Sequence, residues 1–241
     1  MRLDLIKEAV FKISGKSPEI FKINEDLYIN IDKTSKKLTP WRHDRRLIAM
    51  RSLAIGDNVL RQNCSYKSTR VSHKSENIEH TLFTELDVCQ WMLCDKIVSV
   101  YAQAVEDKIL SLILKTERGI LCSIEIALTL SSDTSPITKH EIVGKEGMIS
   151  DRSINEQVPF EAVYLFEGDK KTPTTFTDME ASLYGLVPCE IALAENILAV
   201  ILGYEDESAP ECDEKQIKRL MTAVCKSAEL GEAVKAEDTA L

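Results

Sequence analysis

The chain is 241 residues long, 44% hydrophobic and 29% charged, enough to bury a full core as one large domain or a domain with an appendage. Its net charge of −9 argues against nucleic acid or an anionic membrane as a partner, since both need a basic footprint. No apolar run approaches the roughly 18 to 20 residues that span a bilayer, so no membrane-crossing helix is expected.

The N-terminus, Met-Arg-Leu-Asp-Leu-Ile-Lys-Glu, carries acids inside its apolar pattern and lacks the core of a signal peptide, which points to the cytoplasm. The seven cysteines (Cys64, Cys89, Cys94, Cys122, Cys189, Cys212 and Cys225) stand singly, with no Cys-x-x-Cys pair. In a reducing compartment they read as free thiols rather than disulfides or zinc ligands. Asn63-Cys-Ser65 fits a glycosylation sequon that only a secreted protein would use.

In chain order, residues 3–13 carry a helical pattern that Gly15 and Pro18 stop. Residues 19–31 alternate loosely and suggest one or two short strands joined at Asn24-Glu-Asp26. Residues 33–40 read as a polar, basic linker. Residues 42–54 read as a helix, with Gly56 suited to a left-handed C-cap. A long strand is expected over 59–71, a helix over 81–94, and strands over 96–105, 107–116 and 119–130. Glu117-Arg-Gly119 turns between the last two. Residues 138–144 make a further strand, Gly144-Lys-Glu-Gly147 a tight turn, and 148–150 a segment that pairs behind it. Another strand covers 161–167, and 170–176 reads as a loop. Helices follow near 188–203 and 212–230, the second capped by Gly231, and the acidic end, 235–241, reads as disordered.

Consecutive strands followed by terminal helices predict an α+β fold with a mainly antiparallel sheet and helices on one face. The other face is expected to present Ile97, Val98, Ile109, Leu112, Ile124, Ile126 and Leu128, and to need a cover.

The stretch His80-Thr-Leu-Phe-Thr-Glu-Leu-Asp-Val-Cys-Gln-Trp-Met-Leu93 is an amphipathic helix by spacing, with Leu82, Leu86, Cys89 and Leu93 on one side. It also resembles the catalytic helix of the Gfo/Idh/MocA family of sugar and inositol dehydrogenases, whose pattern is Asp-x-x-x-His-Glu-hydrophobic-Asp-x-x-x-Trp. Glu85, Leu86, Asp87 and Trp91 match it. The two acid–base positions hold His80 and Thr84 instead.

Further segments are similar in order: Arg42 to Gly56, Val98 to Ala104, the hairpin Leu114 to Glu125, the turn His140 to Met148, and Asp213 to Val234. The resemblance covers about residues 42–234. It implies the dihydrodipicolinate-reductase-like C-terminal domain of that family, an open-faced sheet, with 1–40 as an N-terminal appendage, 41–234 as the domain and 235–241 as a tail. The family's nucleotide domain begins with a Gly-x-Gly-x-x-Gly/Ala turn that seats a pyrophosphate. No such turn occurs in the chain, nor the Glu-Lys-Pro that supplies the family's catalytic Lys, so no NAD or NADP site, and no cofactor of any kind, is expected.

Each candidate residue also has a plainer reading. His80 could accept a hydroxyl proton, but a polar residue at a helix start explains it too. Thr84 lacks the acidity to shuttle protons and reads as filling a relict pocket. Glu85 and Asp87 read as structural, hydrogen-bonding at the domain floor or facing solvent. Arg42, with Arg45 and Arg46, could hold an anion or form a solvated helix face. His43, His73 and His140 are dispersed, without metal-ligand spacing.

The resemblance thus implies a pseudoenzyme with no catalytic or metal residues. It would act in oligomerisation or partner binding, as a homodimer through the open sheet face or bound to a Rossmann-domain protein or a full-length family member. Two other readings stay open: the substrate-binding subunit of a split NAD(P)-dependent sugar oxidoreductase, and a small-sugar sensor using the relict pocket.

Overall fold

Alternation of apolar and polar residues along 109–130 builds the centre of the molecule. In a strand, successive side chains face opposite sides, and here every second one is buried: Leu110, Leu112 and Leu114, then Cys122, Ile124, Ile126 and Leu128. The computed structural model describes residues 2–16, 21–23, 27–31, 34–55, 63–151, 162–168, 172–177, 185–204 and 213–238. The chain divides into two compact units that interleave in sequence: 1–48 with 178–210, and 49–177 with 211–241. The expected cut between residues 40 and 41 falls inside the first of them.

In the first unit, helix α1 (Leu3–Ser14) ends at Gly15, whose φ of 69° lets its N–H reach the Phe11 carbonyl at 2.9 Å. Strands β1 (Phe21–Ile23), β2 (Tyr28–Ile31) and β3 (Thr34–Lys37) form a small antiparallel sheet. Strand β3 replaces the linker expected over 33–40. Its polar sequence carries no strand signal of its own, and pairing with β2 makes it one. A 3-10 turn (Pro40–His43) precedes helix α2 (Arg45–Ile55), so the helix expected from residue 42 is broken at the extended residue Asp44. Helix α4 (Pro188–Leu202) shares a core with α1 and the small sheet, through Ile6, Val10, Ile29, Leu38, Leu193 and Ile197. Arg2 Nε and backbone N–H both donate to Glu190 Oε1, at 3.0 and 2.9 Å. These bonds hold the Glu190 carboxyl down to about 2.

The second unit is a nine-stranded sheet in the order β11-β10-β9-β8-β4-β7-β6-β5-β12. Its strands are β4 (Asn63–His73), β5 (Ile97–Val105), β6 (Ile109–Thr116), β7 (Leu121–Leu130), β8 (Ile137–Gly144), β9 (Gly147–Ser150), β10 (Ala162–Glu167), β11 (Thr174–Thr177) and β12 (Val234–Lys235). Every neighbouring pair is antiparallel except β4 with β7, which is parallel. Helices α3 (Ile78–Leu93) and α5 (Glu214–Leu230) pack on one face, α3 over β4 and β7 and α5 over β5. Ser227 of α5 accepts the Ala102 N–H at 2.9 Å and donates to the Glu232 carbonyl at 2.6 Å, fixing that helix to β5.

Three expectations change here. Residues 174–176, read as loop, belong to β11, which pairs with β10. Residues 235–238, read as disordered, form the end of β12 and a 3-10 turn, because Lys235 pairs with Ser99. Of the residues assigned to the open face, only Val98 and Ile109 lie there. Ile97, Leu112, Ile124, Ile126 and Leu128 are buried under the helices. A continuous apolar run does not reveal which alternate residues point inward.

A buried ionic cluster beneath the altered helix

Helix α3 begins at Asn77, whose Oδ1 accepts the N–H groups of Glu79 at 2.8 Å and His80 at 3.1 Å. It ends at Cys94, in the left-handed conformation with φ 47°. Two arginines satisfy its last carbonyls: Arg51 Nε donates to Trp91 O at 3.1 Å, and Arg118 Nη2 donates to Cys94 O at 3.2 Å. The positive guanidinium groups also suit the negative end of the helix dipole.

The first turns of α3 carry four of the five candidate residues. His80 is exposed. Thr84 is buried, and its hydroxyl donates to the His80 carbonyl one turn earlier, at 3.0 Å. Glu85 and Asp87 are buried as well. The fifth candidate, Arg42, lies in the 3-10 turn of the first unit.

Glu85 is the centre of a cluster that the sequence did not disclose. Ser68 of β4 donates its hydroxyl to Glu85 Oε2. Arg70, two residues on along the same face, places Nη1 3.5 Å from Glu85 Oε1 and Nη2 3.7 Å from Glu76 Oε2. His140 of β8 stands opposite Ser68 in the strand register and brings Nε2 to 3.7 Å from Glu85 Oε2. On its other side, His140 donates its backbone N–H and Nδ1–H to Asp151, at 2.6 and 2.8 Å. Charges therefore alternate along the chain Asp151, His140, Glu85, Arg70, Glu76, from the core toward the surface.

Electrostatics fixes these charges. Burial alone would raise the Glu85 carboxyl, but His140, Arg70 and the Ser68 hydroxyl outweigh it and hold the group at about 2. Burial alone would discharge His140, but Asp151 and Glu85 together lift it to about 10. Near neutral pH the imidazole is a cation between two carboxylates. It has no lone pair to offer a substrate, and Glu85 is 1% exposed. The cluster thus fastens α3 to β4 and β8; it does not present an acid or base to solvent. Among the described residues no group of three or more His, Cys, Asp or Glu could hold a metal ion.

Sequence reasoning set His140 aside as isolated and did not single out Ser68, Arg70 or Asp151. One signal was available: Tyr66, Ser68 and Arg70 put polar groups at every second position of the strand expected over 59–71.

No family model and no curated protein sequence matches the chain. Solved structures do. Levoglucosan dehydrogenase with NADH and levoglucosan bound is 14% identical, with a TM-score of 0.63 over 82% of this chain and 65% of that one. An oxidoreductase domain protein from Kribbella flavida is 12% identical, with a TM-score of 0.61 over 82% and 64%. The aldose-aldose oxidoreductase of Caulobacter crescentus is 14% identical, with a TM-score of 0.59 over 81% and 62%. The fold is that of the Gfo/Idh/MocA-type oxidoreductases, consistent with their C-terminal domain. At these identities the likeness is one of fold, and the chain spans less than two thirds of the length of each of these three proteins. No described helix is long and apolar enough to cross a membrane.

Proposed function

We propose that the chain is a non-catalytic, cytoplasmic relative of these sugar oxidoreductase domains, which works by pairing with a second copy of itself through the open face of its sheet. One observation carries this reading. On the face away from α3 and α5, an apolar row crosses five adjacent strands in register: Ile137, Val71, Ala127, Ile109 and Val105. Val105 is 55% exposed and Ile109 39%; Ile113 and Leu121, each 55% exposed, stand on the same face further along β6 and β7. A contiguous apolar face of this kind favours a cover.

A second copy suits this face because charges of both signs flank the row, Lys67, Lys115 and Lys139 with Glu125 and Glu141. A two-fold axis lets the apolar row meet itself while lysines face glutamates. The absence of chemistry rests on α3: in the resemblance Thr84 holds the place of the acid–base His, and its hydroxyl is bonded within the helix.

Light scattering on the purified chain tests the reading. A two-fold increase over the monomer mass of 27.1 kDa is expected. A monodisperse monomer at high micromolar concentration overturns it. Sugar oxidation that appears only when a nucleotide-binding partner is added would instead establish the split oxidoreductase, and a sugar-dependent rise in Tm without turnover would establish the sensor.

A further inference from the structure

Three enclosed polar atoms among the described residues lack a hydrogen-bond partner: the Tyr66 hydroxyl, Arg70 Nε and His140 Nε2. Arg70 and His140 belong to the ionic cluster, and Tyr66 lies beside it. Tyr66 and Arg70 flank Ser68 on the helix-facing side of β4, and Ser68 stands opposite His140 on β8. The Tyr66 and His140 rings lie 6.4 Å apart. Buried polar groups are almost always bonded, so the Tyr66 hydroxyl and His140 Nε2, on neighbouring strands, call for a partner.

The ionic contact beside them is stretched. His140 Nε2 and Glu85 Oε2 are 3.7 Å apart, beyond the roughly 3.2 Å limit of a direct N–H···O bond. A polar contact of that length is often bridged by one water, and an oxygen about 2.8 Å from each atom fits this separation.

We propose that the junction of α3, β4 and β8 is a binding site for a single enclosed water molecule, which accepts from His140 Nε2–H, donates to the Glu85 carboxylate, and takes the Tyr66 hydroxyl as its third partner. The donor set selects this ligand. The occupant must accept from the imidazolium and donate to the carboxylate. A cation would meet Nε2–H, and an anion would meet Glu85 with Asp151 close behind. A neutral molecule with two donors and two acceptors satisfies both sides, and three partners is the usual number for an interior water. Glu85 then has a full set of partners in Ser68, Arg70 and water, so the water helps to set the position of α3 over the sheet. The site is independent of how copies of the chain associate.

A crystal structure of the full wild-type chain, at a resolution that shows ordered solvent, decides the matter. One solvent peak within about 3.2 Å of both His140 Nε2 and a Glu85 oxygen is expected. A direct bond between those two groups with no peak overturns the site. In solution, chain carrying 15N-histidine is expected to show a rotating-frame cross-peak between His140 Nε2–H and water, and its absence overturns the site equally. Tyr66→Phe is expected to weaken that cross-peak by speeding exchange of the water, whereas an unchanged cross-peak removes Tyr66 from the site. Should that variant fail to fold, the two wild-type measurements stand alone.

Discussion

Asp151 accepts both the backbone N–H and the ring Nδ1–H of His140, at 2.6 and 2.8 Å. The same imidazole faces Glu85 of α3 on its other side. A single buried residue therefore ties the β8–β9 hairpin to the helix that resembles a catalytic helix.

Replacing His140 by Gln should lower the stability of the fold by ~3–5 kcal/mol, because it leaves Glu85 and Asp151 as buried carboxylates without their shared cation. Urea unfolding measures this. A loss below about 1 kcal/mol, the size expected of an exposed pair, would show that the cluster does not fasten the helix.

Stability should depend on pH from both sides. His140 is raised from 6.5 to about 10, so its contribution is full below 6.5 and is lost as pH rises through 10. Glu85 is lowered from 4.5 to about 2, so its contribution is full above 4.5 and is lost as pH falls through 2. Both are complete between pH 4.5 and 6.5, where Tm should be highest. The alkaline decline should be shallower in His140→Gln. Parallel Tm profiles of the two proteins above pH 7 would contradict the assignment.

Gly147 lies in β9 where a Cβ would stand 2.2 Å from the Phe166 carbonyl oxygen of β10. Backbone cannot yield as a side chain can. Gly147→Ala should therefore part β9 from β10 and cost more than the ~1 kcal/mol typical of single substitutions. Hydrogen exchange of the Phe166 and Glu167 amides, compared with that of β6, locates the damage. Unchanged protection there would refute the close approach.

On the open face, Ile109→Lys should convert the proposed dimer to a monomer without unfolding it, since a Lys in the centre of an apolar contact loses its hydration. Light scattering and circular dichroism together test this. A dimer that survives the substitution places the contact elsewhere.

Restoring the resembled pattern, His80→Asp with Thr84→His, should not give NAD(P)-dependent sugar oxidation. Acid–base groups assist only where a hydride acceptor is held against the substrate, and the sequence contains no Gly-x-Gly-x-x-Gly turn to hold one. The two sites are unequal. His80 is exposed and tolerant, whereas Thr84 is 6% exposed, so the larger imidazole there should cost ~1–3 kcal/mol. Calorimetry showing micromolar binding of NADH to the chain would defeat the expectation.

The sequence by itself determined the elements with strong periodicity. Helices α1, α3, α4 and α5, strands β5 to β8 and the Gly231 cap follow from local spacing and turn chemistry, and the ordered motifs from Arg42 to Val234 led to the right fold. Local patterns are legible because each depends on neighbours a few residues away. Tertiary structure alone decided the rest. Strand β3 exists because β2 lies beside it, and the alternate faces of β6 and β7 were assigned only once α3 and α5 covered one of them. The ionic cluster joins residues 68, 70, 85, 140 and 151, whose proximity depends on the parallel pairing of β4 with β7 and its antiparallel pairing with β8. Glu85 looked like a floor residue and His140 an isolated one because a charge reveals its partner only when burial removes water from both.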